Sequence, residues 1–143
     1  EVSASASLVL EKSPHAARYV PLPYLNNLAT RMAAGAATLI VSRAGSSIFE
    51  IASWGVPSII IPITNSNGDH QRKNAYSYAR TGACEVIEEN NLSPHVLIAD
   101  IDKIIANKQK IENMKKSALA FASPNAAGMI AQAALDIALS HES

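Results

Sequence analysis

The chain has 143 residues, 48% hydrophobic and 17% charged, with twelve basic side chains against twelve acidic ones. That length fits one domain with a real core, and the charge balance excludes a global field for nucleic acid while leaving room for a local anion site. Cys84 is the only cysteine, which excludes an internal disulfide and any multi-cysteine metal site; in "GACEVI" it reads as a small buried hydrophobe rather than a nucleophile.

Residues 1–17 are weakly patterned, and "ASASLVLEK" fits a helix or a strand equally. No basic leader precedes this apolar part, so it does not read as a signal peptide. No apolar run approaches the roughly 20 residues that span a bilayer, and the chain is expected to be soluble and cytoplasmic. "ARYVPLPYL" reads as a short strand broken by Pro21 and Pro23, since proline cannot donate to a ladder. Asn26 or Asn27 can cap a helix "NLATRMAAG", with Gly35 as its stop. "ATLIVS" is a continuous apolar run of the kind buried on both faces of a parallel sheet. A helix "SSIFEIASW" then ends at Gly55, and "VPSIIIPI" is a second apolar strand.

The polar tract "TNSNGDHQRKN" is rich in loop formers. Asp69 stands at the cap position of a helix "HQRKNAYSYARTG" closed by Gly82, and "ACEVIE" is a third strand. "SPHVLIADIDKIIAN" opens with Ser93 as cap and Pro94 in the first helical position. "KQKIENMKKSALAFA" and "SPNAAGMIAQAALDIALS" are two further helices, the last again opened by a Ser-Pro pair. Strands alternating with helices predict parallel βαβ units, and so an open, doubly wound parallel sheet with helices on both faces, within one domain over residues 1–143. Ligands of such sheets bind beyond the carboxyl ends of the strands. "SRAGSS" and "TNSNGDHQ" each follow a strand, so both should face one cleft.

In "RAGSS" the chain passes from strand to helix. The first N–H groups of that helix lack internal partners and carry the positive end of its dipole. With the hydroxyls of Ser46 and Ser47 they make a ready phosphate site. Arg43 either adds a full charge there or supports the loop from behind. The turn lacks the Gly-Lys-Ser/Thr ending of a P-loop and the three spaced glycines of a dinucleotide fingerprint. Ser47-Ile48-Phe49-Glu50 is equally a capping box, in which serine and glutamate satisfy each other's backbone donors. In the ligand reading, Glu50 lies one turn into the helix and accepts from the two hydroxyls of a ribose. His70, Gln71 and Asn74 offer the donors and acceptors that suit a sugar, or else form an ordinary solvated helix start; Arg72 and Lys73 read as solvated. No third ligand stands at metal-site spacing from Asp69 and His70.

"SRAGSSIFEIASWGVPSIIIPI" followed by "GDHQRKNA" resembles the carboxyl-terminal half of MurG-type glycosyltransferases, which are of the GT-B fold and family 28. The resemblance implies the donor-binding half of an inverting transferase that moves N-acetylglucosamine from UDP-GlcNAc to a lipid-linked acceptor in peptidoglycan synthesis. It implies that Glu50 holds the ribose hydroxyls and that Ser46 and Ser47 meet the diphosphate. His70 and Gln71 match the paired polar residues that contact donor sugar and nucleotide. Leu25, after "PLPY", falls where the family reads uracil through backbone groups. Arg43 and Gly45 match the Arg-x-Gly before the helix, and Asn74 matches an asparagine after the pair. No cofactor or metal is implied.

The family's carboxyl-terminal half opens with a strand and a Gly-Gly-Ser loop that have no counterpart before residue 1. The resemblance therefore implies a partial Rossmann-like domain lacking its first strand and its acceptor-binding amino-terminal half. Such a domain should be inactive alone, with self-association through an exposed sheet edge or a rearranged N-terminal segment filling the gap. The full enzyme would sit at the inner face of the cell membrane. A donor-binding subunit of a two-chain transferase and a non-catalytic nucleotide-sugar module are the alternatives.

Overall fold

The computed structural model describes residues 13–123 and 125–140; the readings of "ASASLVLEK" and of Pro124 as a helix opener lie outside them. The chain divides into two compact units, Glu1–Met32 and Ala33–Ser143. In the first, a single 3-10 turn covers Ala16–Arg18. The strand predicted over "ARYVPLPYL" does not form. Pro21 and Pro23 remove two ladder donors from a short segment, and what remains cannot hold a strand.

Helix α1, Asn27–Ala36, is capped by Asn26, whose Oδ1 accepts from the Ala29 N–H at 2.9 Å. Gly35, predicted to stop this helix, lies inside it. It does not enter the left-handed region, so it gives the chain no reason to turn there. The helix closes instead on the bond from Ala37 N–H to the Ala34 carbonyl at 3.1 Å.

The second unit is built on a parallel sheet of order β1-β2-β3, with β1 at Ile40–Arg43, β2 at Ser58–Ile61 and β3 at Cys84–Val86. Ile40 pairs with Ser58, and Ser58 with Cys84. The helices are α2, Ser47–Trp54; α3, His70–Ala79; α4, Pro94–Ile105; α5, Lys108–Phe121; and α6, Ala126–Ser140. Local signals place most of their ends. Gly55 ends α2 in the left-handed conformation, at φ 64°. Ser93 Oγ accepts from Val96 N–H at 3.3 Å ahead of Pro94, and Asn107 Oδ1 caps α5 through Lys110 N–H at 2.9 Å.

Successive side chains of a strand point to opposite faces, and the isoleucines of β2 do so. Ile60 joins Ala44, Ile48, Ile51, Tyr78 and Ala118 on the face covered by α2, α3 and the end of α5. Ile59 and Ile61 join Ile87, Ile104 and Met114 under α4 and α5. Each buried isoleucine contributes at most about 1.5–3 kcal/mol. The predicted open parallel sheet with helices on both faces is thus the observed one. Burial on both faces holds for β2, whose four residues are all buried. It fails for β1, where Val41 and Arg43 are exposed. Among the described residues β1 has a partner strand on one side only, and an edge strand need not bury both faces.

Cys84 is a buried free thiol, as its setting predicts; burial first, then the Glu85 charge, push it up to about 12. The Tyr78 phenol is likewise pushed to about 12 by burial. Ser58 lies nearby, yet neither buried hydroxyl has a partner at hydrogen-bonding geometry among the described residues. An unpaired buried hydroxyl is a net cost. Tyr78→Phe keeps the ring contact with Phe121, whose centroid lies 4.9 Å away. It is expected to raise stability by about 0.5–1 kcal/mol. A denaturation midpoint that falls instead would mean the hydroxyl is usefully bonded.

Candidate functional site

At the carboxyl end of β1 the buried Ala44 anchors a tight turn into α2. Ser46 occupies the cap position with φ −61° and ψ −23°, already helical, and its side chain makes no capping bond. The N–H groups of Ile48 and Phe49 close onto the carbonyls of Gly45 and Ser46 at 3.3 and 3.1 Å. Ser47 is the first helical residue, and its Oγ leans back to 3.4 Å from Ser42 Oγ.

The capping box therefore does not form. A cap residue needs extended backbone, and the short passage from β1 leaves none. Glu50 is exposed, and no hydrogen-bond or ion-pair partner of its carboxylate is found among the described residues. Gly45 is not in the left-handed region, so the turn does not depend on glycine's freedom. A Cβ there would meet nothing within 4 Å, which leaves open space beside the helix start. The result is an uncapped positive helix end, two hydroxyls and, one turn further, a free carboxylate.

The second loop follows β2. Asp69 takes the cap position of α3 at φ 58°, directly after Gly68 at φ 60°, and does not cap with its side chain. Ser66 does so in its place, accepting from Gln71 N–H at 3.3 Å. Lys73 Nζ donates to the Gly68 carbonyl at 3.0 Å, and the His70 ring packs over Gly68, where a Cβ would meet Nε2 at 3.1 Å. Gln71 Oε1 accepts from Ile63 N–H at 3.1 Å. Asn74 Nδ2 donates to the Ala44 carbonyl at 3.3 Å, which ties α3 to the β1–α2 turn. His70 precedes Asn74 by one helical turn on the same face. Both polar loops therefore lie at one sheet edge, as the topology predicts. Leu25 belongs to the first unit, where its carbonyl lies 3.4 Å from the Thr30 hydroxyl.

A third group was not foreseen from the sequence. After β3, Glu89 accepts from Arg43 Nη2, from Thr64 N–H at 2.9 Å and from Thr64 Oγ1 at 3.0 Å. Glu88 accepts from Tyr76 OH at 2.6 Å and Arg72 Nε at 3.1 Å. Arg72 and Lys73 are exposed, as expected of solvated side chains, and each also makes a surface bond. The available signal was "IEEN" following a strand: the rule that puts ligand loops at the carboxyl edge puts these carboxylates there too.

The Thr64 N–H bond first, then Arg43 and the Thr64 hydroxyl, hold the Glu89 carboxyl below its usual range. Tyr76 first, then Arg72, do the same for Glu88. A depressed folded-state value means the Glu89 contribution is present above the unfolded value and is lost as pH falls through the folded one. The Thr64 amide resonance is therefore expected to titrate with a midpoint below the roughly 4.3 of a free glutamate. A midpoint at or above that value would show the bond to be absent in solution.

Residues 4–130 match the glycosyltransferase family 28 C-terminal domain. A protein of Oenococcus oeni is 37% identical over 114 residues, covering 79% of this chain and 30% of that protein. One of Acetivibrio thermocellus is 38% identical over 117 residues, covering 81% and 31%. Both are named UDP-N-acetylglucosamine–N-acetylmuramyl-(pentapeptide) pyrophosphoryl-undecaprenol N-acetylglucosamine transferase. The crystal structure of Acinetobacter baumannii MurG superposes with a TM-score of 0.66 at 31% identity, over 76% of this chain and 31% of that one. The chain spans less than a third of the length of these relatives. With the family domain over most of its length and the parallel sheet of a solved MurG beneath it, the chain belongs to glycosyltransferase family 28, as a MurG-type carboxyl-terminal domain.

Proposed function

We propose that this domain grips the UDP part of UDP-GlcNAc, as the donor half of an inverting N-acetylglucosaminyltransferase that acts on a lipid-linked acceptor in peptidoglycan precursor synthesis. The observation that carries the reading is the uncapped start of α2, whose serines and Glu50 are not spent on capping. The names of the relatives support the donor and the acceptor class. In this reading the diphosphate meets Ser46 and Ser47 beside Gly45, with Arg43 at the base of the turn. Glu50 holds the ribose, and His70, Gln71 and Asn74 face the sugar side.

Helix-start N–H groups stabilise charge growing on the leaving diphosphate. The base that activates the acceptor hydroxyl belongs to an amino-terminal half, which also binds the lipid-linked acceptor. Among the described residues no helix is long and apolar enough to cross a membrane, and the enzyme would meet its lipid acceptor as a peripheral protein at the inner membrane face. Among the described residues β1 is paired on one side only, and its other side is the place where further chain, or a second copy of the isolated domain, would pair. Calorimetric titration of this domain with UDP, ADP, GDP and N-acetylglucosamine should find UDP preferred. Equal binding of all four, or none, removes the assignment.

A further inference from the structure

One carboxylate ties the carboxyl ends of all three strands together. Glu89, just past β3, takes the Arg43 guanidinium at the end of β1 on Oε1. On Oε2 it takes both the backbone N–H and the hydroxyl of Thr64, three residues past β2. The other terminal nitrogen of Arg43, Nη1, lies 3.4 Å from the Ile61 carbonyl, the last residue of β2. From these points the chain leaves for the Ala44–Ser46 turn on one side and for the loop to His70 and Gln71 on the other. An arginine kept for an arriving anion would be expected to hold its charge unpaired. The charge of Arg43 is already matched by Glu89.

We infer that Glu89 is a positioning residue of the donor site, and that Arg43 serves the site by pairing with Glu89 rather than by touching the diphosphate. The inference rests on the donor-binding reading. An exposed ion pair alone contributes little. This carboxylate, however, also accepts from a backbone N–H and a hydroxyl, and charge-assisted bonds shared among several partners hold geometry better than one pair does. Releasing it frees both loops at their roots, so the effect should appear in ligand affinity more than in global stability.

The test uses the full-length enzyme and calorimetric affinities for UDP and for uridine, with the melting temperature of every variant. Glu89→Ala and Arg43→Ala are each expected to weaken UDP binding about threefold to tenfold, and the double variant by about the same factor as either single, because residues acting as one unit are not additive. The loss from Arg43→Ala should be as large for uridine, which has no phosphate, as for UDP. Glu89→Gln keeps an acceptor for Thr64 N–H and should recover part of the affinity; being the same size, it also serves if the alanine variant folds poorly. Losses that multiply in the double variant, or an Arg43→Ala loss that vanishes with uridine, would make Arg43 a phosphate ligand and overturn the inference. Unchanged UDP affinity in both Glu89 variants would overturn it as well. A native enzyme that binds neither UDP nor uridine would overturn the donor reading itself, and the positioning role with it.

Discussion

Replacing Glu50 with Gln in the full-length enzyme is expected to weaken UDP-GlcNAc binding by about 1.5–3 kcal/mol, the range for hydrogen bonds to a charged group. The melting temperature should hardly move. In the proposed orientation the amide would keep one acceptor oxygen of two and lose the charge that would strengthen bonds from the ribose hydroxyls. Stability is spared because the cap of α2 makes no side-chain bond and Glu50 is exposed; there is no capping contact for the substitution to remove. A donor built on 2′-deoxyribose should lose affinity for the native enzyme and little more for the variant. Early melting with normal donor binding would return Glu50 to a capping role and reverse the proposed orientation of the nucleotide.

Gly55→Ala is expected to destabilise the domain by about 1–2 kcal/mol, the cost of placing a side chain in the left-handed region. Gly55 sits at φ 64° and ends α2, the helix whose start forms the candidate site. A Cβ there would also stand 2.9 Å from Leu119 Cγ. Two effects therefore compete for the loss. Leu119 is 55% exposed and free to swing aside, so the contact should add less than about 1 kcal/mol, below the usual range for overpacking a closed core. Denaturant midpoints of Gly55→Ala in the native and the Leu119→Ala backgrounds separate the two. A similar loss in both identifies the backbone as the cause. A loss that disappears with Leu119→Ala assigns it to the clash, and no loss in either would show that α2 does not need this ending.

Several features of the domain are written in short-range patterns. "SIII" between Pro57 and Pro62 is a buried strand wherever it is placed, because only a doubly covered position removes all four residues from water. Ser93 ahead of Pro94, Asn26 ahead of α1 and Gly55 after α2 work through neighbours within a few residues, and each behaves as its local chemistry dictates. Strand-helix alternation also sufficed to bring "SRAGSS" and "TNSNGDHQ" to one edge, since parallel strands present all their carboxyl ends together.

Packing decided the rest. The Ser47–Glu50 pattern is a capping box by spacing, yet the tight exit from β1 leaves Ser46 helical and the box unformed. Gly35 has the residue type of a helix stop without the left-handed backbone that makes one. "ATLIVS" reads as doubly buried, but among the described residues β1 has a partner strand on one side only, and Val41 is left in solvent. Arg43 meets Glu89 across 46 residues of sequence, and no local pattern in either segment announces the pair. Local patterns determine how a segment can fold; which partner takes up its remaining donors, acceptors and apolar faces is settled only when distant segments compete for the same space.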